Sequence, residues 1–162
     1  MQTELYPERI ARPTSRAKEI VKIAAEAYAE RMHGRWSDWS VEEWAEALIE
    51  HHSPFKDGYE LAKDLERDGF DPDAEMVSEL DGFESEVSSV HRKAVKDWVK
   101  LVGFEPLYQV GDDVLVPRVL DDKGGRGRIS EILLESAEYL VKTDPDSSSA
   151  YVIKAEDITG KS

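Results

Sequence analysis

Residues 108–158 constrain the fold more than any other stretch, because short β-rich runs alternate there with turn residues at nearly even spacing. Gly111-Asp112-Asp113 is a turn cluster that starts a strand at Val114, and Pro117 blocks its continuation in a central ladder. Residues 121–125 read as a polar, glycine-bearing loop. Residues 126–134 read as a second strand, with Ile129 and Ile132 as its apolar positions and Gly127 where a side chain would crowd a neighbouring backbone. Residues 139–142 and 151–153 supply two more strands, separated by Asp144-Pro145-Asp146 and three serines. Residues 155–158 read as a single helical turn before a short last strand or a frayed end. A flat sheet of strands this short leaves two open edges, so the expected form is a small closed barrel.

Gly111-Asp112-x-Val114-x-Val116-Pro117, then Gly124-Gly125-Arg126-Gly127-Arg128-Ile129, then Glu156-Asp157-Ile158 together resemble an SH3-like barrel of the KOW or Tudor-like kind. The resemblance covers about a third of the chain. It implies a barrel fold shared by nucleic-acid factors, ribosomal proteins, polymerase-associated factors and pure protein binders, and the fold alone does not choose among them.

The 162 residues suffice for one ordinary domain or two small ones. No cysteine is present, which removes disulfides, thiolate catalysis and thiolate metal sites together. No run approaches 18 apolar residues and no secretory apolar region stands near the start, so a soluble cytoplasmic protein is expected. The net charge of −14 is unevenly placed: residues 37–90 hold 17 acidic side chains against Lys56, Lys63 and Arg67. That block repels nucleic acid and anionic membrane and attracts basic protein surfaces.

Upstream of the barrel the chain reads as helix. Thr14 or Ser15 is expected to cap a helix running to about residue 33, with Gly34 as its stop. Ser40-Val41-Glu42-Glu43 has the form of a capping box opening a helix to about residue 51. A further helix is expected over about 56–68, ended by Gly69. Asp71-Pro72 signals another start. From there Met76, Leu80, Phe83, Val87, Val90, Ala94, Trp98 and Leu101 form a nearly heptad seam. Unbroken, residues 72–102 make one helix of roughly 45 Å; Gly82 is the place where it can break. The seam also offers a homodimer contact over residues 76–101.

Glu42, Glu46 and Glu50 fall at i, i+4, i+8 and make one anionic stripe. Glu60, Asp64 and Asp68 repeat it on the next helix, and Asp71, Asp73, Glu75 and Glu79 crowd the start of the long one. Like charges at this spacing destabilise a helix by a few tenths of a kcal/mol each, so the pattern invites a functional reason as well as the plainer one of solubility. In the barrel, Lys123, Arg126 and Arg128 with Tyr139 and Tyr151 offer charge and stacking to a nucleic acid, or are ordinary loop charge. Trp36, Trp39 and Trp44 read either as interface anchors or as a packed helical corner.

His51-His52 near Asp57, Glu46 and Glu50 raises the question of a metal. Adjacent histidines point apart on a helix and no third ligand has convincing spacing, so no metal and no cofactor is expected. Glu43-x-x-Glu46 resembles the first acidic pair of the MazG-like nucleotide pyrophosphohydrolases, which would imply magnesium-dependent chemistry. The second pair departs from that pattern, since Glu60 to Asp64 is one residue too long.

The expected architecture is α+β: an acidic helical domain of three to four helices, one of them long, over residues 1–104, then an SH3-like barrel over 107–160. The expected function is non-enzymatic docking of the acidic block on a basic partner, such as a nucleic-acid-binding protein that it inhibits by imitating nucleic-acid charge. In this general respect it is similar to anti-restriction and anti-CRISPR proteins of phage and mobile elements. The alternatives are a ribosome- or polymerase-associated barrel and, behind it, the pyrophosphohydrolase.

Overall fold

A computed structural model of the chain describes residues 10–117 and 125–162. It divides into a helical unit, Ala11–Ala94, and a second unit made of Val95–Ser162 with Ile10. The class is α+β, helices first and strands later.

The described residues form five α-helices: α1 (Lys18–Arg35), α2 (Val41–His51), α3 (Gly58–Arg67), α4 (Ala74–Leu80) and α5 (Phe83–Val102). The α1 start corrects the sequence reading, because neither Thr14 nor Ser15 caps it. Ala17 stands at the cap with no side-chain bond, and its own N–H bonds the Thr14 carbonyl at 3.0 Å. Nor does Gly34 stop the helix, which runs on until the Trp36 N–H reaches the Met32 carbonyl at 2.8 Å. The α2 capping box is present in both directions: Glu43 N–H donates to Ser40 Oγ at 3.1 Å, and Ser40 N–H donates to Glu43 Oε2 at 2.8 Å. Asp57 and Glu60 form a second box at α3. The next cap is Asp73 rather than Asp71, accepting from the Met76 N–H at 2.7 Å.

The long helix breaks at Asp81 and Gly82, which gives five helices rather than three or four. Two tertiary bonds fix the break. Asp81 Oδ1 accepts the Gly58 N–H at 2.6 Å, and the Tyr28 hydroxyl donates to the Glu79 carbonyl. Gly58 is required here because a Cβ on it would lie 2.3 Å from the Val77 carbonyl oxygen.

The helical core holds Tyr28, Met32, Trp44, Leu48, Leu65 and Met76, none more than 2% exposed. Each such side chain is worth about 1.5–3 kcal/mol in apolar burial. The tryptophans form the packed corner: Trp39 stacks on Phe70 at 4.0 Å between ring centres, Trp44 meets the same ring at 4.7 Å, and Trp44 Nε1 donates to the Trp36 carbonyl at 3.2 Å. Met76, Leu80, Phe83 and Val87 of the heptad seam lie in this core too, so that part of the seam faces the chain's own interior and not a second copy.

In the second unit, β1 (Asp113–Leu115), β2 (Arg126–Leu133), β3 (Glu138–Lys142), β4 (Tyr151–Lys154) and β5 (Gly160–Lys161) form one antiparallel sheet in the order β4-β3-β2-β1-β5. The single turn before the last strand is a 3₁₀ helix, Ala155–Asp157. Ile129 and Ile132 are three apart and should point to opposite faces. A register shift between Ile129 and Glu131 restores them to one side, opposite Val141 and Tyr139. Gly127 is confirmed as a close approach: a Cβ there would stand 2.4 Å from Val141 Cγ1.

The sheet is not closed into a barrel, which corrects the expectation. Among the described residues no ladder joins β4 to β5. Closure needs continuous pairing from first strand to last, and β5 offers only two residues, both matched to β1. Val114, Ile129, Tyr139, Val141, Ile153 and Ile158 fill the core on one face.

Candidate functional site

The acidic stripes are built from the caps upward. On α2 the capping box sets the helix phase, so Trp44, Ala45, Ala47 and Leu48 go inward while Glu42, Glu46 and Glu50 are exposed. Successive glutamates stand about 6 Å apart along the axis at 1.5 Å per residue. Among the described residues none of these three is in an ion pair.

The other acidic residues are largely engaged. Glu60 closes the α3 box through the Asp57 N–H. Asp64 is held by Lys56 Nζ at 2.6 Å and Arg67 at 3.1 Å, and the Lys56 hydrogen bond keeps its carboxyl below the ordinary range. Asp68 meets His51 Nε2 at 2.6 Å. Asp73 caps α4 and accepts the Trp36 indole N–H at 3.4 Å; the Met76 N–H is the main cause of its lowered pKa. Glu75 pairs with Arg35 at 2.9 Å, while Glu79 takes Arg31 and Arg35 at 3.4 Å each. Asp71 is exposed. Of the ten acidic residues singled out in the sequence, Asp64, Glu75 and Glu79 have lysine or arginine partners, whereas the α2 trio and Asp71 have, among the described residues, neither an ion pair nor a capping role.

The sheet candidates are less available. Arg128 is clamped by both oxygens of Asp113, at 2.8 and 3.1 Å, which depresses the Asp113 carboxyl. Tyr139 is 1% exposed, a core residue whose burial raises its hydroxyl pKa. Arg126 is exposed and Tyr151 is 43% exposed. Lys123 lies outside the described residues. In the MazG-like pair, Glu43 is the capping acceptor of α2, while Asp64 of the second pair is bound by Lys56.

Two features were not legible in sequence. Residues Trp98, Leu101, Phe104, Leu107, Tyr108 and Tyr139 line a groove of about 520 Å³ in the second unit. His51 and His52 do point apart, but each finds a distant carboxylate: Asp68 at 2.6 Å and Glu84 at 2.9 Å. Separations of 17 and 32 residues leave no periodic trace. Among the described residues no helix is long and apolar enough to cross a membrane.

Compared with protein-family models, with curated proteins and with solved structures, the chain matches none.

Proposed function

We propose that this chain is a non-catalytic docking module that presents an anionic helix face to a basic protein surface, and that the partner is a nucleic-acid-binding protein whose charged groove the glutamates occupy. The observation that carries the reading is the α2 face, where Glu42, Glu46 and Glu50 stand exposed on a packed scaffold while Asp64, Glu75 and Glu79 have cationic partners. Three unscreened charges of one sign in a row steer a basic partner and set the salt dependence of its association. The sheet supports a role as an SH3-like element left open, since its strand order and the 3₁₀ turn before the last strand fit that reading.

The test is affinity purification with mass spectrometry, repeated with Glu42→Lys, Glu46→Lys and Glu50→Lys combined. Recovery of a basic nucleic-acid-binding protein, lost on charge reversal and at high salt and competed by duplex DNA, supports the proposal. Tight, salt-steep binding of the chain itself to DNA or RNA through Arg126 and Arg128 overturns it in favour of a nucleic-acid-associated sheet. Magnesium-dependent nucleotide turnover that disappears in Glu43→Gln and Glu46→Gln would overturn it in favour of the enzyme.

A further inference from the structure

We propose that Glu50, His51 and Asp68 form a binding site for a divalent transition-metal ion of the zinc class. One donor atom from each lies within 4.8 Å of the others, and the three come from two elements, the end of α2 and the residue that closes α3. This is the third ligand that sequence spacing could not supply. Asp68 reaches His51 because α2 and α3 share the core through Leu48 and Leu65.

The donor set selects the metal. One imidazole nitrogen with two carboxylates suits Zn²⁺, Co²⁺ or Ni²⁺, whereas Ca²⁺ and Mg²⁺ call for an all-oxygen shell. In a tetrahedral zinc site, bonds of about 2.0–2.2 Å place neighbouring donors roughly 3.4 Å apart. The 2.6 Å separation of His51 Nε2 and Asp68 Oδ2 must open by less than 1 Å or so to admit the ion. Both carboxylates are exposed, and the helices that carry them are anchored through Leu48 and Leu65 in the core. Lys56 Nζ donates to the His51 carbonyl at 3.1 Å and is itself paired with Asp64 at 2.6 Å, so its charge is balanced beside the site. The surrounding block, with 17 acidic residues against three basic, raises the local cation concentration. Water fills the remaining coordination positions. The site does not depend on the docking role proposed above, although a bound ion would neutralise Glu50.

Isothermal titration of the chelator-treated full chain with zinc chloride at neutral pH tests it. One ion per chain is expected, with binding weakened about tenfold or more in Asp68→Asn and in His51→Ala, unchanged in Glu42→Gln, and uncompeted by magnesium. Because His51→Ala removes a contact between helices, the ring-nitrogen resonances of His51 in the unaltered chain give a second reading. They should shift on zinc addition while those of His33 and His91 stay in place. Absence of binding, binding indifferent to Asp68→Asn, or zinc shifting other histidines instead would overturn the assignment.

Discussion

Two acidic helix faces of this molecule look alike in sequence and differ in space. Glu42, Glu46 and Glu50 on α2 and Glu75 and Glu79 on α4 are all glutamates four residues apart. Yet Arg31 and Arg35, themselves four apart on α1, stand against Glu79 and Glu75 and leave the α2 row untouched. The charge written in a sequence is therefore not the charge shown by a surface. Only the packing of a third element decides which carboxylates remain open to a partner.

The comparison can be broken most severely from beneath. Trp44→Ala removes the wholly buried ring that seats α2, and a loss of about 3–5 kcal/mol is expected in urea denaturation, with the α2 face lost as an ordered array. Gly58→Ala forces a Cβ against the Val77 carbonyl where α3 meets α4. It should cost about 1–3 kcal/mol and leave the α4 pairs disordered while α2 persists, which amide exchange resolves.

Acid probes the engaged carboxylates separately. The lowered pKa of Asp64 means that its pairing with Lys56 stabilises the fold fully above the ordinary aspartate value of about 4. That contribution is lost as pH falls through the depressed folded value. Lys56→Met should flatten the decline of stability in this window, as followed by thermal unfolding between neutral pH and the acid limb.

Smaller effects sharpen the contrast. Arg35→Ala breaks exposed pairs worth under about 1 kcal/mol, but it frees Glu75 and should strengthen binding of an arginine-rich peptide measured by calorimetry. Glu46→Gln relieves like-charge repulsion on α2. It should raise stability by a few tenths of a kcal/mol while weakening the same peptide. Were Glu46→Gln to destabilise the protein, the α2 glutamates would have a structural duty and the contrast would fall.

Local chemistry was readable wherever cause and effect lie within a turn. Ser40 and Glu43 disclosed the α2 cap and residues 155–158 the turn before the last strand, because each depends on neighbours three or four positions away; Gly127 was readable by its residue type alone, since the side chain it makes room for, Val141, lies on the next strand. Asp81 was not readable, since the bond that breaks the helix comes from Gly58, 23 residues earlier. The heptad seam runs through the break without a change of period, so apolar spacing alone favoured a single rod. Closure of the sheet failed for a related reason: turn residues announce strands but not their lengths, and the last strand has only two residues. In the candidate site the α2 row was visible as periodicity. Its freedom from counter-ions was not, because Arg31 and Arg35 choose their partners across 40 and more residues.

The ladder between β1 and β5 has a consequence for biosynthesis. On a ribosome, every residue of Ala11–Ala94 is outside the exit tunnel before Gly160 has been translated, so the helical unit can condense as a nascent body. Val114 and Leu115 must wait with one edge bare until Gly160 and Lys161 arrive. A stalled or shortened translation product would then carry a finished acidic face beside a sheet open to foreign strands.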